Sequence, residues 1–439
     1  MQRIVGVLAL ALALLLALPA VATASNDPLF PQQWALDAIG AETAWSRGRG
    51  EGTIIAVVDT GIDLDHEDLA SRIVAGYDFI GGDSSPEDDA RDCEPRQPGC
   101  NYGRGHGTHV AGIAAAVTGN RTGVAGVAPD ARIMPIRVLD SAGSGHVTQV
   151  AQGIRFAADN GADVINLSFG EIATDVDLSP AFTEAIRYAW ARGSIPVVAA
   201  GNDFVGTSSF TDEPALVVTA TGRTGGRAGY ASSVGNARWG MAAPGGDGRV
   251  GSDEVCTPET GIVSTHADNN YACLVGTSMA VPHVAGAAAV LRGMGLSPQQ
   301  VVDQLLTTTD DVGTIGRDTT FGAGRLNLAR AAHSALPPTT VAPATVAAVP
   351  TTTPPASEES ATSTTTEAPT TTVPSPTVSL PLGNPTPIEL PGRVIALLPD
   401  DGPGDDTTRY VAAVPAGLLI AGVGSATWRM RPRLSSPLR

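Results

Sequence analysis

Three short stretches of this chain carry residue types that could cooperate in hydrolysis. Asp59 closes an apolar run and is followed by Thr60-Gly61. His106 lies in Gly105-His106-Gly107-Thr108-His109-Val110-Ala111-Gly112, and Ser278 lies in Gly276-Thr277-Ser278-Met279-Ala280-Val281-Pro282-His283-Val284-Ala285-Gly286. Each is weak alone, because Asp-Thr-Gly marks many turns, a single histidine at a helix start often only packs, and a serine there can be a cap. Together they supply a nucleophile, a base for its proton and a carboxylate to orient that base. The glycines allow close backbone approach. A serine opening an Ala-rich helix sits where free amides and the helix dipole favour a developing negative charge. His109, three residues after His106, has no glutamate to complete a zinc-binding helix motif and is expected to pack within its helix.

These groups need a scaffold, and the sequence between them supplies one. Apolar runs at 54–58, 133–139, 164–167 and 195–199 predict strands, and Ala-rich stretches at 148–160 and 180–192 predict helices between them. Fully apolar strands joined by helices predict an α/β domain whose mostly parallel sheet is covered on both faces. In such sheets the working groups gather at the carboxyl ends of the strands.

The chain order Asp59, His106, Ser278 resembles that of the subtilisin-like serine proteases. Over roughly residues 26–332 the pattern is most similar to the thermitase branch, on Asn26-Asp27-Pro28-Leu29-Phe30, Gln33-Trp34, the His106 and Ser278 motifs, and Gly322-Ala323-Gly324-Arg325-Leu326-Asn327. The resemblance implies a subtilisin-like three-layer fold and a serine endopeptidase acting on polypeptides. Ser278 would attack, His106 carry the proton and Asp59 hold the imidazole, while Asn202, in Ala199-Ala200-Gly201-Asn202, would join the Ser278 amide at the oxyanion. It also implies two backbone edges sandwiching an extended substrate, Gly143-Ser144-Gly145 and Ser168-Phe169-Gly170. Where relatives often carry Tyr-Pro-Ala near the first specificity pocket, this chain has Phe210-Thr211-Asp212 and then Glu213; these acids either favour a basic residue before the scissile bond or are solvated loop charges.

Calcium is the cofactor the resemblance implies, held by Asp27, Asp68, Val117, Asn120, Thr122 and Val124 through hard oxygen donors. A second site would draw on Asp78, Asp83, Ser85 and Glu87, with Gly81 standing where a carboxylate is expected. Two features depart from the family. Few residues separate the amino-terminal apolar run from Trp34, leaving no room for an inhibitor-like propeptide, and the segment 83–104 is longer than in thermitase.

Composition and the chain ends frame this reading. With 439 residues, 43% of them hydrophobic, the chain can bury a large core. The formal net charge is −17, and all 27 basic residues are arginines. Without lysine there is no P-loop lysine, Schiff base or Ser-Lys dyad, and so acidic a surface excludes a phosphate-tracking nucleic-acid binder. Residues 1–24 read as a signal peptide, with Arg3, an apolar run at 4–18 and the cleavage site Ala22-Thr23-Ala24. Export makes the four cysteines disulfide candidates. Three pairings are open, and Cys93 with Cys100 and Cys256 with Cys273 are preferred because they close the shortest loops.

After the peptidase domain, 25–336, residues 337–409 form a Thr/Pro-rich disordered stalk able to extend on the order of 100 Å. The uncharged run 410–428, bounded by Tyr410 and Trp428, would reach about 28 Å as a helix and cross a bilayer. Arg429, Arg431 and Arg433 would hold the tail, 429–439, in the cytoplasm. The weaker alternative is a cell-wall sorting signal at Leu398-Pro399-Asp400-Asp401-Gly402, which has Asp401 where that signal wants Thr. The expected molecule is a monomeric, single-pass cell-membrane protein with its catalytic domain outside and no nucleic-acid partner. The stalk, cysteines and tail also resemble the mycosins, dedicated processing proteases of actinobacterial secretion systems, which is the alternative reading.

Overall fold

The computed structural model describes residues 25–89, 103–169, 180–248 and 256–335, and the backbone of 394–396. All of these belong to one compact unit, 1–337 with 392–439; a second unit, 338–391, lies outside the described residues. The signal peptide, nearly all of the stalk, the run 410–428 and the basic tail also lie outside them. Among the described residues no helix is long and apolar enough to cross a membrane.

Seven parallel strands make the central sheet: β1 (Ile54–Asp59), β2 (Tyr77–Asp78), β3 (Arg132–Arg137), β5 (Val164–Leu167), β6 (Ile195–Ala199), β7 (Leu216–Thr221) and β8 (Gly240–Pro244). Their order across the sheet is β2-β3-β1-β5-β6-β7-β8. Outside it, β9 (Ile262–His266) and β10 (Asn270–Leu274) form an antiparallel hairpin. The short β4 (Ser144–His146) pairs antiparallel with β11 (Val394–Ala396), Ile395 opposite Gly145. The fold is the expected subtilisin-like three-layer α/β arrangement, and four of the strands fall on the four apolar runs. The run 133–139 stops pairing at Arg137 because the amides of Val138 and Leu139 both converge on the Asp59 carbonyl, at 2.9 and 3.2 Å, and the chain folds over the end of β1.

The period of two in β1 decides which way its last residue faces. Ile55 and Val57 enter one core and Ala56 and Val58 the other, so Asp59 follows Ile55 and Val57. On that face lie α3 (His106–Ala115) and α6 (Thr277–Gly293), completed by α1 (Trp34–Ile39), α2 (Ala41–Ala44), α7 (Pro298–Thr307) and α8 (Leu328–Ser334). On the other lie α4 (Val147–Asp159) and α5 (Pro180–Ala191). A one-residue slip of β1 would send Asp59 to the wrong layer. A disulfide joins Cys256 to Cys273 across 17 residues of sequence, a closure contributing about 3 kcal/mol. Cys93 and Cys100 lie outside the described residues.

Candidate active site

Three neighbouring strands end at one place. Asp59 closes β1, Ser168 follows β5, and Asn202 lies three residues beyond β6. The sequence thus delivers three polar groups to adjacent carboxyl ends, and the two helices on that face bring the others. Asp59 is fully buried, and its Oδ1 accepts from the Thr60 amide and from His106 Nδ1, both at 2.8 Å. That bond fixes the orientation of the ring and directs Nε2 away from Asp59. A Cβ at Gly107 would overlap the Gly61 carbonyl oxygen, so only glycine lets the start of α3 lie this close to β1.

Ser278 stands on the first turn of α6 and is tied twice to Ser168. Its Oγ donates to the Ser168 carbonyl at 2.9 Å, and Ser168 Oγ donates to the Ser278 carbonyl at 2.8 Å. The second bond has a local cause. Pro282, four residues on, has no N–H to give that carbonyl, and Ser168 supplies the donor instead. Asn166, on the same face of β5, donates to Ser168 Oγ at 2.9 Å and completes the chain.

Asn202 is oriented by Thr277, whose amide and hydroxyl donate to its Oδ1 at 2.9 and 2.8 Å. With its carbonyl so held, its NH2 group must point away from Thr277, beside Gly276 and the amino end of α6. Thr277, Asn166 and the Ser168 hydroxyl were not singled out by sequence reasoning. Each is a short polar side chain whose only signal is adjacency to a motif or to a strand end.

The remaining sequence-derived residues are distributed as follows. His109 is buried and donates through Nε2 to the Ile262 and Ala272 carbonyls at 3.1 and 3.2 Å; burial holds it well below the usual histidine range. Gly143, Ser144 and Gly145 lie on the β4 edge, where Ser144 and Gly145 face β11. Phe169 is buried, its ring 6.4 Å from that of Phe182, and Gly170 lies outside the described residues. Phe210 packs against Phe182 at 6.0 Å, Glu213 pairs with Arg187 at 3.2 Å, and Asp212 is exposed. Glu213 already has a basic partner in Arg187, which makes it a poor reader of a basic substrate residue.

The calcium ligands named by resemblance converge. Asp27 accepts from the amides of Gly119 and Asn120, and Asp68 accepts from Asn120 Nδ2 at 2.7 Å and from the Val124 amide at 2.8 Å. Val117 donates its amide to the Asp68 carbonyl, and Thr122 donates to Asn120 Oδ1. Burial, and after it the Asp27 charge, pushes the Asp68 carboxyl up to about 6. Asp27 and Asp68 are both buried and neither is bonded to a basic side chain among the described residues, so a calcium ion would offset their charge, although no group of three or more acidic, histidine or cysteine side chains gathers among the described residues. The carboxylates of Asp78 and Asp83 both lie beside Gly81, but Asp78 already faces buried Arg137 at 3.2 Å. Asp83 accepts from the Ser85 amide, and Glu87 from that of Leu64. That second cluster is partly neutralised by protein alone.

A doubly covered parallel sheet with a carboxylate-held histidine and a helix-borne serine at one end has the architecture of a serine peptidase. A family model described as "Subtilase family" matches residues 50–324. The chain is 38% identical to thermitase of Thermoactinomyces vulgaris over 309 residues, 70% of this chain and 98% of that protein. It is 34% identical to Subtilisin Savinase of Lederbergia lenta over 68% of this chain and 97% of the relative. A solved protease from Pseudoalteromonas arctica superposes with a TM-score of 0.62 at 34% identity, covering 71% of this chain and 99% of the other. The chain belongs to the subtilase family of serine peptidases.

Proposed function

We propose that the chain is an exported, membrane-tethered endopeptidase in which Ser278, His106 and Asp59 form the catalytic triad and Asn202 serves the oxyanion. As Ser278 Oγ attacks the scissile carbonyl carbon, its proton passes from the Ser168 carbonyl side to His106 Nε2, and Asp59 stabilises the imidazolium. The negative charge gathers on the former carbonyl oxygen, which takes hydrogen bonds from Asn202 Nδ2 and the Ser278 amide. Collapse breaks the C–N bond, and His106 returns the proton to the leaving amine. Water then attacks the acyl-serine, giving its proton to His106, and the acid leaves as Ser278 regains its hydrogen. The observation supporting this most is the 2.8 Å bond from His106 Nδ1 to Asp59, on the strand next to the one that holds Ser278.

Substrate would lie extended along Ser144 and Ser168, bound by main-chain bonds that accept many sequences. Asp27, Asp68, Asn120 and the carbonyls of Val117, Thr122 and Val124 would hold a calcium ion, which would brace the amino-terminal segment against the loop 117–124 without entering the chemistry. The sequences of 1–24 and 410–428 support export and a single-pass anchor, with the catalytic domain outside the cell. The test is hydrolysis of a denatured protein by the full chain and by Ser278→Ala, with cleavage sites mapped. Many sites support general proteolysis, one or two indicate dedicated processing, and hydrolysis retained by the variant rejects the assignment of Ser278.

A further inference from the structure

We infer that Asp88 is a positioning residue for His106: its buried carboxylate clamps the first turn of α3 and so sets the imidazole against Asp59. The inference rests on the catalytic reading of Asp59, His106 and Ser278. It starts from a deficit. The first amides of a helix have no partners within it, and the N-cap of α3 is Gly105, which has no side chain to accept from them. Asp88, from the distant loop before the segment 90–102, performs that task from outside. Its Oδ1 accepts from the Gly105 amide at 3.0 Å, and its Oδ2 accepts from the amide and hydroxyl of Thr108 at 3.3 and 2.6 Å. The residues it grips stand on either side of His106.

The same carboxylate closes a ring with the strand end. Thr60 Oγ1 donates to Asp88 Oδ1 at 3.4 Å and accepts from the Gly107 amide at 3.0 Å, while the Thr60 amide donates to Asp59 Oδ1. His106 is therefore held by its ring through Asp59 and by its backbone neighbours through Asp88 and Thr60. Asp88 is itself fixed by main chain: its amide donates to the Ile62 carbonyl at 3.1 Å, and the Ile62 amide donates to Pro86 at 3.0 Å. A capping side chain cannot be supplied from within the turn itself, since the His266 ring fills the space a Cβ would take at Gly105 and the Gly61 carbonyl does the same at Gly107. Without the carboxylate, two buried amides and two hydroxyls lose this acceptor, and the turn must shift or leave them unpaired. Misplacement of a catalytic group by about 1 Å costs on the order of 100-fold.

The experiment compares the full chain with Asp88→Ala, Asp88→Asn and Thr60→Val at a temperature at which melting curves show each folded. It reads kcat and KM on a peptide amide and the rate at which phenylmethanesulfonyl fluoride modifies Ser278. A positioning role predicts that Asp88→Ala loses about 10- to 100-fold in kcat, keeps KM within about twofold and slows sulfonylation in parallel. Asp88→Asn, which retains one acceptor oxygen, falls between it and the wild type. Should Asp88→Ala not fold, Asp88→Asn and Thr60→Val carry the same comparison. Folded variants with wild-type kcat, or a loss confined to KM, overturn the inference. An inert wild type overturns the peptidase reading and this inference with it, whereas an active wild type beside unimpaired variants overturns this inference alone.

Discussion

The two faces of the central sheet are built by different rules. On one, α3 is buried along its whole length and α6 from Thr277 to Leu291, and both are made largely of Gly, Ala and Val. On the other, α4 and α5 bury one stripe each, Val150, Ala151, Ile154 and Ala157 in the first and Phe182, Ala185, Ile186 and Ala189 in the second. The stripes are ordinary amphipathic helices lying on a sheet. These helices lie between the sheet and a further layer, the β9-β10 hairpin with α1, α2 and α8, so they are built mainly of small residues. They pair most of their polar side-chain atoms, leaving His109 Nδ1 and Arg292 Nε without a hydrogen bond among the described residues. A site built there has its side chains locked by neighbours, which is what preorganised chemistry requires. With the proposed triad on the first face, the difference would place chemistry there and mainly stability on the other.

Substitutions can break that assignment, and the largest effect is expected at Ser278, the proposed nucleophile. Ser278→Ala should lower kcat about 10⁶-fold, a magnitude established for a subtilisin and carried over here, with melting nearly unchanged. Asn202→Ala should lower kcat about 10²–10³-fold at similar KM, again a subtilisin magnitude. Steady-state kinetics on a peptide amide with melting curves alongside measures both; a large fall in melting temperature would mean these groups hold the fold rather than the transition state. On the opposite face, Ile154→Ala should cost about 2–5 kcal/mol by emptying a fully buried site. Denaturant unfolding measures it, and kcat well below the melting temperature should stay within about twofold of wild type. A tenfold fall in kcat in that folded variant would end the division between the faces.

The contrast also explains what the sequence disclosed. Strands β1, β5 and β6 were legible because short, largely apolar runs closed by polar or small residues have few other uses, and α4 and α5 because Ala-rich runs between strands have few alternatives. The pairing of β7 with β6 and β8 was not, since parallel register is fixed by contacts distant in sequence. Asp59, His106 and Ser278 stood out by spacing and small-residue context. Asp88 did not, because its partners Gly105 and Thr108 lie beyond a long intervening segment. The proposed calcium loop was invisible to residue type for a different reason: Val117 and Val124 would contribute carbonyls, which every residue has, so only resemblance could point to them.

The smallest effect sharpens the contrast by pH. His283 on α6 is buried, donates through Nδ1 to the Met279 carbonyl at 2.8 Å, and is pushed down to about 4 by burial. A histidine that charges near 6.5 when unfolded but only near 4 when folded makes the native state lose stability as pH falls below about 6.5, by about 2 kcal/mol at pH 5. The loss levels off below about 4, where both states are protonated. Buried carboxylates pull the other way, for burial pushes Asp88 up to about 7 and its protonation favours the folded chain as pH falls. The histidine contribution is therefore read as a difference. His283→Gln should lose less stability than wild type between pH 7 and pH 5, by about 2 kcal/mol in denaturant unfolding. Equal losses in the two proteins would show that the α6 face carries no such acid liability, and that its full burial is no electrostatic cost at this position.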